Sequence, residues 1–315
     1  MNADIVFLTF TKVLMMLFYI LPGYIICKMK KATVDHLSTA SALLVYGCSP
    51  CLVVSSFLSI PFSVKALADM GIFFVVTLVL QIVFMGILWL VLRKKFDDAR
   101  YRVFTVASAM GNVGFFGLPL ISALLPDNPE VACYAAVYAI SMNLIMFTMG
   151  VFFLTRDKKF MTPKAALFNP TMLGLVIGLP LFIFGVGSMI PAELDVFVQG
   201  IDLVGKMSAP LCMMILGVRL ATVPFGKLFS RPFVYLACAG KLLIFPLFCF
   251  AAVYFMPFLD PAFKASILIL SGTPCASVVF NLSEMHSSDP DLSANCVLLS
   301  TLACGVTLPL LSLLL

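Results

Sequence analysis

The stretch Ala107-Ser108-Ala109-Met110-Gly111-Asn112-Val113-Gly114-Phe115-Phe116-Gly117-Leu118-Pro119 lies inside an apolar segment, residues 101–125, long enough to cross a bilayer. Between Gly111 and Pro119 stand three glycines, an asparagine and a proline. Glycine loosens a helix; proline lacks an N–H and clashes with the preceding turn. An unpaired backbone group in hydrocarbon is costly, so a broken helix persists only where protein or a water-filled cavity covers the break. A broken helix at mid-membrane depth therefore points to a binding site. A second break is expected at Ser271-Gly272-Thr273-Pro274-Cys275-Ala276-Ser277. The remainder of the chain reads as the frame around these two interruptions.

Composition sets that frame. Of 315 residues, 62% are hydrophobic and only 11% charged, with a mean hydropathy of +1.11. Soluble domains carry about 25% charged residues, so this chain reads as a polytopic membrane protein. Its net charge of +5 is no nucleic-acid signal, because the basic residues sit in short clusters between apolar runs. The first apolar run ends in Cys27-Lys28-Met29-Lys30-Lys31 rather than in a small-residue cleavage site, and so reads as a spanning helix. Ten cysteines are scattered through apolar segments as small packing residues, which argues for neither disulfides nor metal.

Ten apolar segments are expected to span: residues 5–28, 36–59, 67–92, 101–125, 130–154, 168–188, 196–218, 232–256, 262–284 and 292–314. The loops after spans 1, 3, 5 and 7 hold Lys28, Lys30 and Lys31; Arg93, Lys94, Lys95, Arg100 and Arg102; Arg156, Lys158, Lys159 and Lys164; and Arg219, Lys227 and Arg231. The loops after spans 2, 4, 6 and 8 hold Lys65 and Lys264. The positive-inside rule then places the basic loops in the cytoplasm and both termini outside the cell membrane, in the periplasm or extracellular space.

The chain also repeats itself weakly. Ser49-Pro50-Cys51-Leu52 followed by Ile60-Pro61-Phe62 matches Ser208-Ala209-Pro210-Leu211-Cys212 followed by Val223-Pro224-Phe225, at offsets of 160 and 163. An offset of 163 carries Gly111 onto Pro274, so the two breaks correspond. Five spans per half is odd, so the halves, 1–160 and 161–315, must be inverted relative to each other, with the site where spans 4 and 9 cross.

Four half-helices meeting at mid-depth would present unpaired N–H groups and about half a positive charge at each N-terminus. That suits a carboxylate. Asn112 adds an amide that donates and accepts, and Thr273 a hydroxyl; the amide could instead only cap the break. Charges inside spans are functional candidates, because burying them is expensive. Lys12, Asp69, Asp202, Lys206 and Lys241 qualify. Asp202 and Lys206, spaced i, i+4, share a helix face. They read either as a substrate cation with a coupling carboxylate or as a structural ion pair. Lys12 and Lys241 could snorkel, although both lie deep for that. The sequence has no HExxH, no Walker A and no DxxxD pair, and its two histidines, His36 and His286, fall in or near loops, so no enzyme, cofactor or metal is expected.

On these residues the chain resembles the auxin efflux carrier family, which includes plant auxin exporters and bacterial permeases for malate or malonate. Gly111-Asn112-Val113-Gly114-Phe115-Phe116-Gly117-Leu118-Pro119-Leu120 is similar to the family's asparagine followed by a glycine-hydrophobic-proline ending. Gly272-Thr273-Pro274, Phe280 to Met285 and Asp289-Pro290-Asp291-Leu292 resemble its second crossover, and Pro50, Ala209-Pro210 and Leu216-Gly217 add weaker matches. The resemblance covers essentially the whole chain. It implies a ten-span fold related to bile-acid symporters and sodium/proton antiporters. Spans 1, 2, 6 and 7 would form a dimerising scaffold; spans 3–5 and 8–10 would form a transport unit that moves like an elevator.

By the same resemblance Asn112 would contact the substrate carboxylate, and Asp69 would support the site. Gly111, Gly114, Thr273, Pro274 and Lys206 would complete the binding set, with Asp202 in support or coupling and Pro119 and Gly272 shaping the crossover. Where plant members carry a lysine four residues after the aspartate, this chain has Phe73, which shifts weight onto Lys206. The span 9 break lacks the acidic residue or glutamine that holds sodium in the bile-acid relatives. The expected function is secondary transport of small mono- or dicarboxylates, with the bilayer and a second copy as partners. Ion-coupled symport of another amphipathic anion and non-transporting anion sensing stand as alternatives.

Overall fold

The computed structural model describes residues 2–161, 164, 170–229 and 231–315. We label its principal helices α1 (Asp4–Lys28), α2 (Val34–Leu58), α3 (Val64–Lys95), α4 (Ala99–Ala107), α5 (Val113–Leu124), α6 (Glu130–Thr155), α7 (Met172–Ile183), α8 (Asp195–Thr222), α9 (Pro232–Tyr254), α10 (Pro261–Ser271), α11 (Ser277–Met285) and α12 (Pro290–Leu314). Seven of these, α1, α2, α3, α6, α8, α9 and α12, are long and apolar enough to cross a membrane. Helices are the only regular elements of more than one residue among the described residues. The chain is a multi-pass membrane protein. The expected spans 4 and 9 are each split in two, into α4 with α5 and α10 with α11. The expected span 6 is represented by the shorter α7; residues 168 and 169, at its predicted start, lie outside the described residues.

Prolines shape several of these helices. In α2 the turn Leu43–Cys48 is widened to i→i+5 bonding, and Pro50 follows it. In α5 the widened turn is Val113–Gly117, followed by Pro119; in α9 it is Gly240–Ile244, followed by Pro246. A proline cannot donate to the carbonyl four residues back and its ring crowds that carbonyl. Widening the preceding turn relieves the clash at the cost of one regular bond. The widened turn also rotates the side chains within it relative to a regular helix, which matters below for Lys241.

Packing places α1 against α8 and α2 against α7 and α8. The α1–α8 approach depends on Gly23: a Cβ there would overlap the main-chain carbonyl of Met214. Without a hydrophobic force between helices in lipid, such close backbone contact is what holds them. On the other side α3 packs on α6, α6 on α10, and α9 on α4, α10 and α12. Phe73 of α3 anchors this group. It is fully buried, stacks on Tyr134 with centroids 4.7 Å apart and meets Phe263 edge-on at 4.7 Å. A buried polar link, Thr77 Oγ1 with Ser141 Oγ at 2.9 Å and Gln81 Nε2 donating to Ser141 Oγ at 3.1 Å, joins α3 to α6. Large apolar residues such as Phe7, Val91, Phe184 and Phe255 are exposed on the outside, as a lipid-facing surface requires.

Candidate functional site

Helix α4 stops because Gly111 and Asn112 follow it, and α10 stops because Gly272 and Pro274 follow it. The four helix ends do not fray. They pair with each other: Asn112 N–H donates to Pro274 O at 2.7 Å, and Ala276 N–H donates to Met110 O at 3.1 Å. Gly111 and Cys275 thus face each other in an antiparallel bridge between the two breaks. Cys275 N–H is taken up by Ser300 Oγ of α12 at 2.9 Å. Each interrupted helix therefore satisfies part of the other's backbone, as burial in an apolar medium demands.

The bridge requires a glycine at 111. A Cβ there would sit 2.5 Å from Thr273 Oγ1 and 3.0 Å from both Cε and Nζ of Lys241. Past the bridge, α5 and α11 begin side by side. Asn112 precedes α5 with φ −79° and ψ 61°, and its carbonyl accepts from Phe116 and Gly117. A helix start leaves its first amides, here those of Val113, Gly114 and Phe115, without intrahelical partners, and concentrates partial positive charge there. The same holds for Ser277 and Val278 of α11. Val113 is buried, whereas Gly114, Phe115, Ser277 and Val278 are half-buried.

The Asn112 side chain does not cap the break. It is buried, and its Nδ2 donates to Cys212 Sγ of α8 at 3.7 Å, a weak contact. Asn112 thus points across the seam between α5 and α8. Thr273 is fully buried and donates its hydroxyl to Leu270 O at 2.7 Å, which makes it a brace for the end of α10. Pro274 contributes its carbonyl to the bridge. A Cβ on Gly272 would press on Leu311 at 2.8 Å, so this glycine lets α12 close on the crossover. Gly114 has open space, its nearest neighbour being Ala139 Cβ at 3.9 Å. Pro119 lies one turn into α5, behind the widened turn.

The charged residues fall out differently from their order of weight in the sequence. Lys206 pairs with Asp202 at 2.5 Å, and the two side chains are 70% and 36% exposed. They form a local i, i+4 pair on α8, and the ammonium is held there rather than at Asn112. Asp69 pairs with Lys65 at 3.3 Å; Lys65 also reaches Asp260 at 2.6 Å and so ties α3 to the start of α10. These groups, with Glu130 and Tyr134, line a cavity of about 250 Å³ at one end of the bundle. Lys12 is half-buried on α1. Lys241 is the residue that meets the crossover. It is 1% exposed, and its Nζ donates to Ser271 O at the end of α10 and lies 5.0 Å from the Phe245 ring centre. The sequence signal for it was a lysine within an apolar span, five residues before a proline. The widened turn ahead of Pro246 is what carries it inward.

Two interrupted helices that complete each other's backbone, inside a multi-pass helical protein, define a membrane transporter. The comparisons agree. The family model described as "Membrane transport protein", that of the auxin efflux carriers, matches residues 8–163 and 155–312. The chain belongs to this family. It is also similar to an "Uncharacterized transporter" of Methanothermobacter thermautotrophicus (strain ATCC 29096 / DSM 1053 / JCM 10044 / NBRC 100330 / Delta H), 25% identical over 304 residues that cover 95% of this chain and 96% of the relative. Membership points to transport rather than catalysis.

Proposed function

We propose that this protein is a secondary transporter of small organic anions, mono- or dicarboxylates of the size of malonate or malate. The anion would bind where α5 and α11 begin. The observation that carries this reading is the bridge between Gly111 and Cys275, which sets two helix N-termini beside each other with Asn112 at their junction. The amides of Val113, Gly114 and Phe115 would receive one carboxylate, and the Asn112 amide would exchange its weak contact with Cys212 for a substrate oxygen. Gly114 would leave room for the ligand, while Gly111, Gly272, Thr273, Pro274 and Pro119 would shape the crossover rather than touch it.

The wider architecture follows from the same reading. The chain would comprise ten spans in two inverted repeats, residues 1–160 and 161–315. Helices α1, α2, α7 and α8 would form a scaffold through which two copies associate. Helices α3–α6 and α9–α12 would form a transport unit that carries the crossover past the scaffold. The Asn112–Cys212 contact supports this division, because it lies on the boundary between the two groups and is weak enough to break at every cycle. The basic loops would face the cytoplasm and both termini the outside.

Counterflow tests the function. Proteoliposomes preloaded with unlabelled anion are placed in trace labelled anion, across a panel of malate, malonate, monocarboxylates and aromatic acids. Transient accumulation above protein-free liposomes for at least one organic anion is expected. Saturable binding of such an anion without accumulation would identify a sensor and overturn the reading.

A further inference from the structure

Lys241 stands out among the charges of the described residues. Among the described residues it is the one charged side chain in the fully buried set. Among the described residues no carboxylate pairs with it; its ammonium lies against the Ser271 carbonyl, the Phe245 ring and the backbone at Gly111. Burying a lysine is expensive unless something negative compensates it. Here the compensation is geometric. Ser271 is the last residue of α10, and its carbonyl belongs to the unpaired C-terminal set. The end of α4 lies beside the same turn of α9, since a Cβ on Gly240 would overlap the Ser108 hydroxyl. Each helix C-terminus carries about half a negative charge, so two of them offer roughly one unit to a single ammonium.

We propose that Lys241 is the resident cation of the crossover, balancing the C-terminal ends of α4 and α10 and moving with them. Helix ends carry partial charges but no net charge. The unloaded transport unit therefore carries one net positive charge through the membrane interior, the unit loaded with a monoanion carries none, and the unit loaded with a dianion carries one negative charge. This inference rests on the elevator reading above and adds to it the electrical character of each half-cycle. Return of the empty carrier is electrogenic; exchange of monoanions is indifferent to voltage; an inside-negative potential drives the inward return that completes net export of a monoanion and opposes the outward return that completes net import. The inference also makes the charge built-in, so the site needs no dissolved cation to attract an anion.

The test is charge movement without organic anion. Giant proteoliposomes under voltage clamp are stepped between holding potentials in inert buffer, and the transient charge displaced is integrated for wild type, Lys241→Arg, Lys241→Met and Lys241→Gln. Saturable displacement in wild type and in Lys241→Arg, with a loss of at least tenfold in the Met and Gln variants, is the expected result. Equal displacement in wild type and Lys241→Met, or none in wild type, overturns the proposal. If the Met and Gln variants fail to fold while Lys241→Arg folds, the charge requirement is upheld; if all three fail, the residue acts through its volume and the proposal falls. Counterflow on the same vesicles across the full panel of malate, malonate, monocarboxylates and aromatic acids separates the two readings. Counterflow without charge displacement removes Lys241's role and leaves the transport function standing, whereas loss of both removes both.

Discussion

Replacing Gly111 with alanine perturbs the crossover at its tightest point. The added methyl would stand 2.5 Å from Thr273 Oγ1 and 3.0 Å from Cε and Nζ of Lys241, and none of these can simply swing away. Thr273 is fully buried and bonded to Leu270 O, and Lys241 is held on Ser271 O. Overpacking a filled core costs about 1–3 kcal/mol, and displacing the Thr273 hydroxyl from its carbonyl adds about 0.5–1.5 kcal/mol. A total of roughly 2–4 kcal/mol, at about 2–4 °C per kcal/mol for a chain of a few hundred residues, lowers the melting temperature by roughly 4–16 °C. Gly114→Ala is the matched control, because its methyl would meet only Ala139 Cβ at 3.9 Å. It should melt within about 2 °C of wild type, as a substitution into open space does. Ten free cysteines, most of them buried, make a thiol-reactive fluorescent melt in detergent the natural assay. A Gly111→Ala protein that melts with wild type, or a Gly114→Ala protein that melts as early as Gly111→Ala, would refute the packing argument.

Three further outcomes follow from the same geometry. Lys206→Ala should keep counterflow within about twofold of wild type and cost at most ~1 kcal/mol, since its pair with Asp202 is exposed; loss of transport would restore Lys206 to the site. Ser300→Ala removes the acceptor from the buried Cys275 N–H and should cost about 1–3 kcal/mol, read as an earlier thermal melt, while Ser300→Thr should recover most of it. Lys65→Ala severs the tie between Asp69 of α3 and Asp260 ahead of α10, both at least partly exposed, and should change stability by no more than ~1 kcal/mol; a larger effect would mean that this corner governs how α10 is held.

Much of this was legible in the sequence. The positions of the helices and both interruptions could be read from hydropathy, glycine and proline, because an apolar solvent leaves the backbone few options. That the breaks meet was also legible, through the offset carrying Gly111 onto Pro274; the structure pairs Asn112 with Pro274 and Gly111 with Cys275. The charges were not legible. Lys206 and Lys241 both sit in apolar runs, and nothing in a linear pattern says which helix face turns outward. The i, i+4 partner that drew attention to Lys206 is what satisfies it locally. Lys241 has no such partner and reaches the crossover through a turn widened ahead of Pro246. Phe73 shows the complementary case: the position reads as a missing polar support, and the fold uses it as the aromatic hub of α3, α6 and α10.

The central claim is that Asn112, at the paired helix starts, holds the transported anion. Its most direct test compares wild type with Asn112→Ala in counterflow, using the anion from the panel that wild type accumulates most strongly and matching the two by thermal melt. The Asn112 side chain caps nothing and makes one weak bond to Cys212. The variant should therefore fold and melt within about 1 kcal/mol of wild type, while accumulation of the labelled anion falls to the level of protein-free liposomes. Accumulation by Asn112→Ala at the wild-type rate would contradict the account, and the anion would have to be sought away from the crossover.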